Sequence, residues 1–259
     1  MNLLKSSLTV VLVLLIHPDL HAQKLPGEQK DGLYAPTNVK ADGKAIEWGN
    51  TFQAFNRATQ IFYTMANDDE NLYLVIQADQ EPTIAKILSG GITLSIKSRV
   101  NDKKTPPLTL MYPIISYLDK YTITTPLREI TNVEKMMTKV NERLPLVAKQ
   151  IRISGFSEIT DPDISIYNEL GIKAVSQVDA RRAYTYELQL PVKYFRHLVD
   201  GKGAFDYNVT LNGVVDPPGT VVVGGRPAGS PPITGSDGVP VFDMFSPTDF
   251  TATYILVKK

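Results

Sequence analysis

From residue 60 onward, apolar and polar side chains alternate in short runs separated by turn-forming clusters. Asn71–Asp79 places Leu72, Leu74, Ile76 and Ala78 on one side, the period of two expected of a half-buried strand. Gln60–Ala66 precedes it, and Asn67-Asp68-Asp69-Glu70 lies between. Such residues bend the chain, so the pair predicts a β-hairpin. The same rhythm predicts strands at Ile92–Lys97, Leu108–Ile115, Gln150–Phe156, Ile172–Val178, Tyr184–Leu190, Phe205–Val215 and Thr251–Val257. Most gaps are too short and polar for crossover helices, which argues against alternating strand–helix units. The expected fold is all-β, a two-sheet antiparallel β-sandwich.

One inserted amphipathic helix breaks this rhythm. From Ile130, apolar residues recur at Val133, Met136, Met137, Val140 and Leu144, with Lys135, Lys139, Glu142 and Arg143 outside them. That is helical spacing. Thr131 and Glu134 suit a capping box, and Pro145 is expected to end the run. Val192–Leu198, after Pro191, is a second, shorter helical candidate. Residues 213–238 are dense in Gly and Pro, including Pro217-Pro218, Gly224-Gly225 and Pro231-Pro232. This reads as a long Gly/Pro-rich loop before the final strand, and long loops inside compact domains are often functional.

The first 22 residues follow a different logic. Lys5 gives a positive start, Leu8–Ile16 is a nine-residue, predominantly apolar run, and Leu20-His21-Ala22 fits a cleavage site before Gln23. The apolar run is shorter than the roughly 20 residues a spanning helix needs. Residues 1–22 are therefore expected to be a signal peptide, with 23–37 a flexible N-terminal segment and 38–259 the sandwich. The protein is expected to be exported, periplasmic or extracellular. It is not expected to be a lipoprotein, since the chain has no cysteine.

Composition narrows the chemistry. Lys and Arg number 27, as do Asp and Glu, so no basic excess favours nucleic acid. Without cysteine there is no disulfide framework, thiolate metal site or thiol nucleophile. Once the leader is set aside, His197 is the only histidine, too few for a His-rich zinc site. The motifs of zinc proteases, α/β-hydrolases, P-loops and dinucleotide folds are missing. In Gly224-Gly225-Arg226-Pro227, proline removes amide donors that a phosphate cradle needs.

Some candidate chemistry remains. Asp68-Asp69-Glu70 and Asp161-Pro162-Asp163 are where paired carboxylates for glycoside hydrolysis would be sought. They carry the oxygen ligands calcium takes, without the spacing of a calcium loop. No cofactor is expected. Two strands carry polar faces: Thr185, Glu187 and Gln189 opposite Tyr184, Tyr186 and Leu188, and Asp206, Asn208, Thr210 and Asn212 opposite Phe205, Tyr207, Val209 and Leu211. Side by side, these faces would form an outer surface of amides, hydroxyls and carboxylates suited to sugar hydroxyls. Glu187, Gln189, Asn208 and Asn212 are the candidate ligand-binding residues. Trp48 is the only tryptophan, and its place before the first strand suits a structural plug.

Several segments resemble one known family. They are Asp42-Gly43…Glu47-Trp48, Phe62-Tyr63-Thr64, Asn67-Asp68-Asp69-Glu70-Asn71-Leu72-Tyr73-Leu74, Ile87-Leu88-Ser89-Gly90-Gly91-Ile92-Thr93-Leu94, Asn168-Glu169…Gly171-Ile172-Lys173-Ala174 and Tyr186-Glu187-Leu188-Gln189-Leu190-Pro191. In this order they resemble the family 9 carbohydrate-binding-module-like (DOMON-like) β-sandwich, as in exported Bacteroidetes proteins, over roughly residues 38–258. The resemblance implies a non-catalytic sandwich with ligand at one face or loop end, and a structural role for Trp48. The expected function is a secreted, non-catalytic binding protein for a glycan or cell-envelope component. Two alternatives stay open. One is a structural or partner-binding envelope protein using the 213–238 loop, and the other is a carboxylate-dependent glycoside hydrolase.

Overall fold

The computed structural model describes residues 25–99, 105–128, 131–213 and 246–259. The leader at 1–22, Ile130 and the Gly/Pro-rich stretch beyond residue 213 lie outside the described residues.

The fold is an antiparallel two-sheet sandwich. One sheet holds β1 (Ala54–Asn56), β2 (Ile61–Asn67), β3 (Asn71–Ala78), β8 (Lys173–Val178) and β9 (Tyr184–Pro191), in the order β1-β2-β3-β9-β8. The other holds β4 (Ile92–Lys97), β5 (Leu108–Tyr112), β6 (Gln150–Ser154), β7 (Asp163–Ser165), β10 (Ala204–Leu211) and β11 (Thr248–Ile255), in the order β11-β10-β4-β5-β6-β7. The predicted hairpin joins β2 and β3, with Phe62 opposite Gln77 and Asn67 opposite Leu72. Tyr184, Tyr186, Leu188 and Leu190 of β9 and Phe205, Tyr207, Val209 and Leu211 of β10 all turn into the core, as the alternation requires.

Among the described residues there are three α-helices, where the sequence pattern suggested one long helix and a shorter candidate at Val192–Leu198. α1 (Glu81–Gly90) has a proline in its first turn and buries Ile84, Ile87 and Leu88. α2 (Tyr117–Leu127) starts at Ser116, whose hydroxyl accepts the Asp119 N–H, and buries only Lys120 and Ile123. α3 (Val133–Val147) is the predicted helix with shifted ends. Asn132, not Thr131, caps it by accepting the Lys135 N–H, and Pro145 lies inside the helix instead of ending it. A proline there costs one backbone bond, at the carbonyl of residue 141. Asn141 spends its side chain elsewhere. Its amide donates to the Val178 carbonyl at 2.9 Å and accepts the Val178 N–H at 2.8 Å, which docks α3 onto the outer edge of β8. The Val192–Leu198 candidate forms two 3-10 turns, Val192–Tyr194 and Arg196–Leu198.

The stretch before β1 forms a third layer. Ala35, Ala45, Trp48 and Phe52 pack on Ala66, Tyr73 and Val75, the outward side chains of β2 and β3. Trp48 thus seals the outer face of the five-stranded sheet, not one end of the main core. Residues 25–37, expected to be flexible, are instead part of the packing. The Gln29 side chain donates to the Met65 carbonyl and accepts the Met65 N–H, each at 2.8 Å, as an added strand residue would.

Candidate functional site

Glu187 is buried, at 3 % exposure, beneath this third layer. One carboxylate oxygen accepts the Asp42 and Gly43 backbone N–H groups at 2.9 and 2.8 Å, and the other accepts the Trp48 indole N–H at 2.9 Å. Gly43 has φ +84°, and a Cβ there would lie 2.9 Å from the backbone of Ser176 and Gln177. Only glycine lets the chain pass this close in that conformation. Burial raises the Glu187 pKa, with the three donors pulling against that rise. The Asp42-Gly43…Glu47-Trp48 motif therefore anchors the cover layer on β9. The expectation that Thr185 and Glu187 lie on an outer, ligand-binding surface is corrected, since both are buried.

The four candidate binding residues do not share a surface. β9 lies between β3 and β8, while β10 lies between β11 and β4 in the other sheet. Asn212 donates to the Gly90 and Gly91 carbonyls and to the Thr93 hydroxyl, so it fastens the end of α1 to the start of β4. Asn208 stands on the outer face of the six-stranded sheet, donating to Asp249, the Phe250 carbonyl and Thr251.

Gln189 lines a cleft. Its amide donates across the strands to Asn71 at 3.3 Å, and around it three loops converge. Asp68 shapes the first by accepting the N–H groups of Glu70 and Asn71 and the Tyr73 hydroxyl, which leaves Asp69 and Glu70 exposed at the rim. Asn168 shapes the second. Its side chain donates to the Ser165 and Ile172 carbonyls and accepts the Leu170 N–H, and Gly171 turns the chain at φ +81°. Glu169 is thereby presented outward. The third comprises the 3-10 turns after Pro191, which supply Lys193 and Arg196. The Val192 N–H donates to the Glu70 carbonyl at 2.8 Å and ties the third loop to the first.

The cleft encloses about 520 Å³, within the usual range for small-ligand sites. Its walls interleave carboxylates, amides and cations, so it can donate and accept hydrogen bonds at short intervals. Beneath it, Tyr194 donates to the Leu170 carbonyl at 3.0 Å and packs edge-on against Phe156. The Lys193 ammonium lies 4.8 Å from the centre of the Tyr194 ring. The sequence pointed to Gln189 and, as carboxylate candidates, to Asp69 and Glu70, but it did not group them or point to Lys193 and Arg196, because these residues come from loops far apart in the chain. A second, smaller cleft of about 170 Å³ lies between α1, α2 and the β8–β9 turn.

The other sequence candidates are committed elsewhere. Asp161 accepts the Asp163 N–H, and Asp163 forms a two-pronged pair with Arg152. His197 is exposed on its 3-10 turn and does not line the cleft. Among the described residues, no group of three or more His, Cys, Asp or Glu is placed to hold a metal. No helix among them is long and apolar enough to cross a membrane. Comparison with known proteins returned no match to any family model, curated protein or solved structure.

Proposed function

We propose that the protein is an exported, non-catalytic binding protein that holds a glycan or cell-envelope component in the cleft around Gln189. The observation that carries this reading is the convergence of Gln189, Asn71, Glu169, Lys193 and Arg196 on one cleft at the end of the sandwich. A polyhydroxylated ligand needs donors and acceptors alternating at close range, and this wall provides them. A ligand at a loop end is also what the resemblance to the family 9 modules implies. Export rests on the charged start, apolar run and small residue of the first 22 positions. Of the carboxylate candidates for hydrolysis, Asp68, Asp161 and Asp163 spend theirs on internal bonds, and Asp69 and Glu70 stand exposed at the cleft rim, where they can accept hydrogen bonds from a ligand.

Thermal-shift and calorimetric titration against a panel of oligosaccharides tests the reading. A true ligand at a hundred times its Kd adds about 2.7 kcal/mol of stability, a shift of roughly 5–10 °C for a domain of this size. Gln189→Ala and Arg196→Ala are expected to weaken that ligand by about tenfold each, near 1.4 kcal/mol. Their ligand-free melting points should stay within about 2 °C of wild type. A panel with no saturable shift, or binding indifferent to both substitutions, overturns the assignment.

A further inference from the structure

A sheet edge presents unpaired N–H and C=O groups that invite another strand, and proteins usually blunt such edges. Among the described residues, three of the four sheet edges are blunted. β1 is three residues long, and its Phe55 N–H donates to the Pro26 carbonyl. β7 is also three residues long. β8 is held at Val178 by the Asn141 amide of α3. β11 differs, being eight residues long and, among the described residues, paired only with β10.

The register fixes which groups β11 leaves open. The Leu256 N–H donates to the Gly203 carbonyl at 2.9 Å, and Ala204 stands opposite Ile255. Hydrogen-bonded pairs recur at every second residue of an antiparallel ladder. Tyr254, Ala252 and Phe250 therefore bond to β10, while the backbone groups of Thr253, Thr251 and Asp249 point away from the sheet. Among the described residues, nothing hydrogen-bonds to these outward groups. At Ile255 the edge closes, because Gly32 lies so near that a Cβ would be 2.4 Å from the Ile255 carbonyl oxygen.

A groove of about 770 Å³ runs beside this open stretch, between Thr251–Thr253 with Asp206 on one wall and Pro26–Lys30 on the other. An extended segment of five residues is about 17 Å long, and a groove of this volume accommodates its backbone and side chains. The charges also select. Glu28 is exposed, and Asp206 lies across the groove from it, with Lys30 also on the groove wall. Asp206 already meets Arg99 at 3.3 Å and the Thr253 hydroxyl at 2.7 Å, so Glu28 is the carboxylate free to meet a visitor.

We propose that the outer edge of β11 is a strand-addition site. It takes an extended peptide segment carrying a basic side chain as a seventh strand of the six-stranded sheet. Main-chain bonds to Thr251 and Thr253 supply affinity, and Glu28 selects the cation. This site is separate from the cleft around Gln189, so either assignment can fail without the other.

The test uses the full protein and a fluorescein-labelled heptapeptide, Gly-Thr-Lys-Val-Thr-Val-Gly, followed by fluorescence anisotropy. Saturable binding is expected. It should weaken at least tenfold when alternate peptide amides are N-methylated, and several-fold when the peptide lysine becomes glutamate. Thr251→Pro removes one outward donor and keeps the ladder to β10, because its N–H faces away from that strand. This variant should lose the peptide by at least tenfold while Glu28→Lys reverses the charge preference. Absence of saturable binding overturns the proposal, as does equal binding of the N-methylated peptide. So does dimerisation abolished by Thr251→Pro without peptide binding, which would assign the edge to a second copy. If circular dichroism shows Thr251→Pro unfolded, the N-methylated peptide against wild type decides alone.

Discussion

Replacing Glu187 with alanine is expected to destabilise the protein by about 3–5 kcal/mol. The loss comes from what the carboxylate leaves behind. Two backbone N–H groups and the Trp48 indole N–H all donate to it in a buried site. Each unsatisfied buried donor costs about 1–3 kcal/mol, and partial entry of water keeps the sum below three full penalties. Urea denaturation gives the size of the effect, and hydrogen exchange gives its location. Amides around Gly43 and Trp48 should lose protection, because the cover layer is released from β9 before the sandwich opens. A change below about 1 kcal/mol, or unchanged exchange in residues 42–48, would show that apolar packing alone holds the layer.

The same residue has a pH signature. Burial is the dominant influence on Glu187 and raises its pKa above 4.5 in the folded protein. The folded state therefore binds this proton more tightly than the unfolded chain does. Its contribution is fully present below the unfolded pKa and is lost as pH rises through the higher folded value. Glu187→Gln removes the titration, so the stability difference between wild type and this variant should narrow as pH climbs from about 4. A difference that widens would mean that the three donors outweigh burial.

Much of the sandwich was legible because alternation reports one thing well, namely which side chains of a strand face the core. The inward residues of β9 and β10 were read correctly for that reason. Alternation does not report what covers the other face. Glu187 looked solvated because its cover is a segment far earlier in the chain, joined to it only by folding. Pairing partners are equally non-local, so β9 and β10 could be imagined as neighbours although they belong to opposite sheets. The helices were missed for two different reasons. α1 carries a readable sign in Pro82 at its start, followed by Ile84, Ile87 and Leu88. α2 buries only two side chains and is rich in β-branched residues, so its periodicity is faint. The Ser116…Asp119 cap was its one visible mark.

The cleft was half legible. Gln189 stood out as a polar residue on a strand, but Glu169 and Arg196 lie in irregular segments where no period places a side chain. The turns that present them are built by Asp68 and Asn168. Both lie in polar stretches between strands, and their side chains serve here to shape loops.

Asn67→Ala is the second substitution expected to have a large effect, a loss of about 2–4 kcal/mol. Asn67 ends β2 at 2 % exposure and uses every hydrogen-bonding position of its amide. Its NH2 donates to the Asp68 and Val257 carbonyls, while its oxygen accepts the Val257 N–H and the Tyr254 hydroxyl. Its backbone bonds Leu33 and Ala35 of the cover layer. One side chain thus joins the β2–β3 turn, the cover layer and the chain leaving β11. Alanine strands the Val257 N–H and carbonyl, whereas Tyr254 keeps its bond to the Leu33 carbonyl at 3.1 Å, which bounds the loss from above. Asn67→Asp separates shape from chemistry. It keeps the volume but sets a carboxylate oxygen against two carbonyls, so it should be at least as damaging as alanine at neutral pH. Denaturant midpoints measure both variants, and exchange at Val257 checks the site. A milder effect of Asn67→Asp than of Asn67→Ala would mean that filling the space matters more there than satisfying the donors and acceptors.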